Sequence, residues 1–225
     1  NLVVEGNPGI GKSRFYVYCA SRLIRGLVDE EMKAHKYTLV LNFGKNYLTY
    51  LWREKAFMRT TEDEVEKLTL STSVLRLVKD NSSMLVGWNG VSILFTSPTL
   101  AQLKDYKKGT NCKSFIAPMW ELTELRACNA IADEAHRLSD DELESRFVKW
   151  GGNPRFVFDE TPGKVDAMIN SAIASFRAQD VFNCSSKSNP LEPSTYSHCV
   201  AAMVPTSPDY RTFYVRFKSC RGQSY

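Results

Sequence analysis

No apolar run in these 225 residues approaches the ~20 needed for a membrane-crossing helix, so a chain without a membrane partner is expected. Histidine is scarce: His35, His136 and His198 stand apart, and His198 beside Cys199 cannot form a four-ligand metal site alone. The six cysteines, Cys19, Cys112, Cys128, Cys184, Cys199 and Cys220, show no CxxC and no short pairing rhythm. A chain of this size needs no disulfide staple, so free thiols are expected. Basic residues exceed acidic ones only by 29 to 25, far from the footprint of a dedicated nucleic-acid binder. Low-complexity and collagen-like stretches are absent, and with 43% hydrophobic and 24% charged residues the composition excludes a disordered chain. No charged and apolar leader precedes the first motif, and residue 1 is Asn, so upstream sequence is expected to be missing.

What is present is enough apolar residue for one full domain and a smaller second one, at roughly 150 residues per domain. Leu2-Val3-Val4-Glu5 reads as a buried strand ending at Gly6, and residues 12–27 take helical spacing through Phe15, Cys19 and Leu23. Strands are expected at 37–41 and 47–52, and Thr61-Glu62-Asp63-Glu64 is a capping box opening a helix. Val74-Leu75-Arg76-Leu77-Val78 predicts a strand ending in Asp80, and 91–95 another ending in Thr96-Ser97-Pro98. Helices are predicted over 122–135, 140–150 and 164–179, the second stopped by Gly151-Gly152-Asn153-Pro154. A polar linker at 183–194 leads to β-like runs at 198–204 and 212–217. Strands alternating with helices predict an α/β parallel sheet, followed by a helical subdomain.

Gly6-Asn7-Pro8-Gly9-Ile10-Gly11-Lys12-Ser13 matches GxxxxGK[ST] without a mismatch, with a strand before it and an amphipathic helix after it. Glycines let successive backbone N–H groups turn inward onto a phosphate, and the helix start adds its positive end. Lys12 would reach the β and γ phosphates, Ser13 would ligate Mg²⁺, and Arg14 completes the expected binding segment. Asp80 is the expected second Mg²⁺ ligand. Asn81 stands where many such ATPases carry a glutamate; an amide orients water but cannot take its proton. Glu5 is a remote alternative base and reads better as structural. Thr96 and Ser97 sit where a γ-phosphate sensor would, or else cap the helix entered at Pro98. Arg146 and Arg155 flank the helix stop and could supply charge to the transition state, or else be solvated or paired with Glu142 or Glu144.

These blocks, together with Leu94-Phe95-Thr96-Ser97-Pro98, Phe115-Ile116-Ala117-Pro118-Met119-Trp120-Glu121-Leu122 and Glu142-Leu143-Glu144-Ser145-Arg146-Phe147 running into Gly151-Gly152-Asn153-Pro154-Arg155, have a familiar order. The chain resembles, over roughly residues 1–160, the P-loop NTPase module of oomycete and fungal Crinkler-type effectors and retrotransposon-hot-spot proteins. That resemblance implies a P-loop NTPase sheet flanked by helices, similar to the AAA+/STAND class, with a small helical lid and a short β-containing tail. The expected boundaries are 1–120 for the NTPase core, 121–182 for the lid, and 183–225 for a linker and the start of a truncated C-terminal region. It further implies a module of a larger effector, delivered into a host cell and its nucleus, whose toxin-like domain lies outside this chain.

Three activities follow from these residues. The first is an ATP- or NTP-hydrolysing enzyme using Mg²⁺, with Lys12, Asp80 and Arg155 as its catalytic set. The second is a nucleotide switch with little hydrolysis, favoured by Asn81. The third, a kinase, would need more lid arginines than Arg146 and Arg155. The expected partners are the nucleotide, the neighbouring effector domains, and a second copy of the chain as a candidate arginine donor. Nucleic acid is left open: Lys104, Lys107, Lys108 and Lys113 gather around Tyr106, and Tyr210, Arg211, Tyr214, Arg216 and Lys218 interleave aromatics with cations. Period-two alternation in that tail reads more simply as a half-buried strand.

Overall fold

Val3 and Val4 are both fully covered, although successive strand residues point to opposite faces, so the first strand is buried on both sides. In the computed structural model, which describes residues 1–28, 37–82, 84–97, 103–109, 111–175, 198–206 and 208–217, this strand is β1 (Leu2–Gly6). It belongs to a seven-stranded sheet with β2 (Thr38–Gly44), β3 (Asn46–Leu51), β4 (Ala56–Arg59), β5 (Val74–Ser82), β6 (Val91–Thr96) and β7 (Lys113–Ala117). The order is β4-β3-β2-β5-β6-β1-β7. The pairs β2–β5, β5–β6 and β1–β6 are parallel, and β2-β3-β4 forms an antiparallel meander at one edge. The fold is therefore mixed α/β, with a mostly parallel sheet flanked by helices.

Packing divides the chain into two units. The first comprises residues 1–5 and 12–115. On one sheet face Val4, Leu39, Leu75, Leu77 and Phe95 receive Tyr16, Ala20 and Leu23 of α1 (Lys12–Ile24). On the other, Val65 of α2 (Glu62–Thr69) packs with Val40, Tyr47, Val74 and Trp88. Leu103 and Tyr106 of α3 (Leu103–Gly109) cover Val3, Val78 and Leu94 on that same side. α2 opens with the expected box: the Thr61 hydroxyl accepts from Glu64 N–H, and the Glu64 carboxylate accepts from Thr61 N–H at 2.8 Å.

The second unit comprises residues 6–11 and 116–225. It holds α4 (Leu122–Ala130), a 3₁₀ turn at Glu134–His136, α5 (Asp140–Trp150), a π-helical turn at Arg155–Asp159, α6 (Pro162–Ser175) and the antiparallel hairpin β8 (Ala201–Pro205) and β9 (Phe213–Phe217). Leu125, Leu143 and Val157 form one core of this unit, and Trp150, Phe156 and Val165 another. α5 starts at the Ser139 cap with three acids in its first turn and stops at Gly151, whose φ of +75° suits glycine.

Several expectations change. β5 does not end at Asp80: Phe43 pairs with Lys79 but Gly44 with Ser82, so Asp80 and Asn81 are an insertion within a strand that continues to Ser82. The helix predicted over 122–135 stops at Ala130. β4, α3, β7 and the π turn had no sequence signal strong enough to predict them. The linker at 183–194, the helix entry at Pro98 and the last residues of the 164–179 helix lie outside the described residues. Among the described residues, Cys19 and Cys128 are free thiols. Among the described residues, no helix is long and apolar enough to cross a membrane.

Candidate functional site

The turn after β1 requires glycine at two places, because Gly9 (φ +89°) and Gly11 (φ +96°) lie in the left-handed region. Gly6 is needed for a different reason: a Cβ there would come within 2.7 Å of Ile10 Cδ1 and 2.8 Å of the Ala117 carbonyl. Side chains of the second unit brace this loop. Asn7 is fully buried; its Oδ1 accepts from Met203 N–H at 3.0 Å, and its Nδ2 donates to the Met203 carbonyl at 3.2 Å. Asn153 Nδ2 donates to the Pro8 carbonyl at 2.9 Å, and Trp120 Nε1 donates to the Ile10 carbonyl at 3.0 Å. Three donors from distant sequence thus hold a six-residue turn that local propensity alone would leave free to sample many conformations.

The peptide after Gly11 leads into α1 of the first unit. Lys12 there is half-buried, Ser13 and Arg14 are exposed, and the early N–H groups of the helix have no intrahelical acceptor. The parallel registers align the carboxyl ends of three adjacent strands: Glu5 of β1 pairs with Thr96 of β6, whose neighbour Phe95 pairs with Lys79 of β5. Asp80 follows Lys79, exposed, with φ +55°, and makes no hydrogen bond or ion pair among the described residues. A left-handed aspartate is uncommon, and here it turns a carboxylate out of the strand. Thr96 is buried and its hydroxyl donates to the Ser97 carbonyl at 3.2 Å. Glu5 is buried and ion-paired with Lys107 Nζ of α3 at 2.5 Å, which gives it a structural role.

The two arginines separate. Arg146 is committed: Nη1 donates to the Val157 carbonyl at 2.7 Å and Nη2 to Glu142 Oε1 at 2.6 Å. Arg155 is exposed, its guanidinium makes no hydrogen bond or ion pair among the described residues, and its Cβ lies 3.0 Å from where a Gly9 Cβ would be. Of the basic cluster, Lys107 is used by Glu5 and Tyr106 is buried. In β9, Phe213 and Val215 are half-buried while Tyr214 and Arg216 are exposed, the alternation of a strand with one covered face.

Sequence reasoning did not anticipate the side-chain roles of Asn153 and Trp120, although both lie in blocks it singled out. Nor did it find Arg76, wholly buried in β5. Its guanidinium donates to Ser92 Oγ and to the Met84 and Leu85 carbonyls, and lies 4.2 Å from the Trp88 ring centre. Burial pulls its pKa down to about 10, yet these partners keep a cation there without a carboxylate. The clamp fixes the segment that follows Asp80. A lone charged residue in an apolar strand gives no sign of which loop folds over it. Among the described residues no three His, Cys, Asp or Glu side chains gather as a metal cage. No protein-family model matches the chain, and no curated protein matches its sequence.

Proposed function

We propose that this chain is the nucleotide-binding, Mg²⁺-dependent NTP-hydrolysing module of a larger effector-like protein, of the P-loop class and AAA+/STAND-like. One observation carries the reading: GNPGIGKS occupies the turn between β1, an inner strand parallel to β6, and the helix that follows it, with left-handed glycines at positions 9 and 11. The strand order β7-β1-β6-β5-β2 supports it, since β1 has later strands on both sides and ligands of open α/β sheets bind beyond such a switch point.

Loop N–H groups and the Lys12 ammonium bind the β and γ phosphates, and Ser13 and Asp80 hold the metal. The exposed Asp80 carboxylate, with no hydrogen bond or ion pair among the described residues, fits that role, since magnesium is held by few protein carboxylates. Bound Mg²⁺ neutralises charge on the transferred phosphoryl group. Thr96 reports the γ-phosphate and Arg155, the uncommitted arginine, offsets transition-state charge. Neighbouring effector domains and delivery to a host cell belong to the same proposal through the resemblance. A second reading, a switch that barely hydrolyses, is favoured by Asn81 in place of an acid.

The test is Mg-ATP affinity beside phosphate release, for the native chain and Lys12→Ala. Loss of both in the variant supports the NTPase; tight Lys12-dependent binding without turnover supports the switch. Absence of binding by either protein sinks both readings.

A further inference from the structure

A phosphate-binding turn works only if its peptide planes are aimed. In a trans peptide the carbonyl of one residue and the N–H of the next point in opposite directions. A donor that captures the carbonyl therefore sets the direction of the following N–H. No peptide among the described residues is cis, so the Asn153 amide on the Pro8 carbonyl sets the Gly9 N–H. In the same way the Trp120 indole N–H on the Ile10 carbonyl sets the Gly11 N–H. Two alternate peptides of the turn are held from behind.

The bracket that does this is itself rigid. Asn153 is 1% exposed, its Oδ1 accepts from Arg155 N–H at 3.2 Å, and its own carbonyl accepts from Phe156 and Val157. Trp120 N–H donates to the Gly152 carbonyl at 2.9 Å, and any Cβ at Gly152 would overlap the Trp120 carbonyl. Glycine at position 9 also lets the Asn153 amide approach, since a Cβ there would lie 2.5 Å from Asn153 Oδ1. The Trp120 and Gly151–Arg155 blocks thus form one clamp.

We propose that Asn153 and Trp120 are positioning residues that pre-orient the Gly9 and Gly11 N–H groups for a polyphosphate. The proposal rests on the nucleotide reading above and explains why Asn153 is buried and why the Trp120 indole has a polar job. Preset donors avoid ordering the turn on binding. The two residues touch no phosphate themselves; they act through the backbone.

Asn153→Asp keeps the shape and the acceptor for Arg155 but loses the donor, and Trp120→Phe keeps a ring but loses the indole N–H. The first readout needs no ligand: amide cross-peaks of Gly9 and Gly11 in ¹H–¹⁵N spectra of the full chain. Asn153→Asp should move the Gly9 peak and spare Gly11; Trp120→Phe should do the reverse. The second readout is affinity for Mg-ATP and for inorganic tripolyphosphate, each expected to weaken by the same factor, about ten-fold per variant. Equal loss for both ligands ties the effect to the phosphates rather than to the base. Unmoved amides, or native affinity in variants that have lost the hydrogen bond, overturn the proposal. If Asn153→Asp does not fold by circular dichroism, Trp120→Phe alone decides. A native chain that binds neither ligand, with amides that still shift, overturns the nucleotide reading and leaves the two side chains a purely structural brace.

Discussion

At the scale of single residues, burial separates groups the sequence presents as equals. Arg146 and Arg155 flank the same helix stop, yet one guanidinium is spent on Val157 and Glu142 and the other has no hydrogen bond or ion pair among the described residues. Arg155→Ala should therefore lower phosphate release by about ten-fold or more with little change in stability, whereas Arg146→Ala should destabilise the fold. Turnover and urea denaturation of the two variants check this. Arg76 makes the sharper case. Arg76→Met leaves the Met84 and Leu85 carbonyls and the Ser92 hydroxyl without their donors, and should cost about 3 kcal/mol in urea unfolding. Arg76→Lys should not restore it, because one ammonium cannot match a planar fork of donors.

At the scale of elements, local chemistry was legible wherever it acted within a turn. The Thr61–Glu64 box and the Gly151 stop both stand where the sequence puts them. Thr61→Ala should weaken α2 by about 1 kcal/mol, read as a fall in the urea midpoint. Contacts between elements were not legible. Asp166 on α6 accepts from Lys149 Nζ at 2.6 Å and Trp150 Nε1 at 3.1 Å on α5. Those bonds, Lys149 first, hold its carboxyl below the usual carboxylate range. A lowered folded pKa means the native state binds the proton less readily than the unfolded chain, so this stabilisation is complete above the ordinary carboxylate pKa. It disappears as pH falls through the lowered folded value. The stability difference between the native chain and Asp166→Asn, followed by denaturation from neutral to acid pH, should shrink on acidification.

At the scale of the whole molecule, a ligand that binds only the folded chain must raise its thermal midpoint. Mg-ATP at ~100 times its dissociation constant should stabilise the native protein by about 2.7 kcal/mol. The shift should be absent in Lys12→Ala and reduced by EDTA, which differential scanning calorimetry would show. The amino-acid sequence by itself determined the α/β alternation, the phosphate-loop pattern, the helix caps and the identities of Lys12, Ser13 and Asp80 as candidates, because each of these depends on neighbours a few residues apart. Tertiary structure alone decided that β5 runs on past an inserted Asp80, that Glu5 is tied to Lys107, and that one guanidinium is buried under the loop it clamps. It also decided that residues 120 and 153 hold the carbonyls of a turn more than a hundred residues earlier. Hydrogen bonds over such separations follow from how the backbone is brought together, and no periodicity along the chain encodes them.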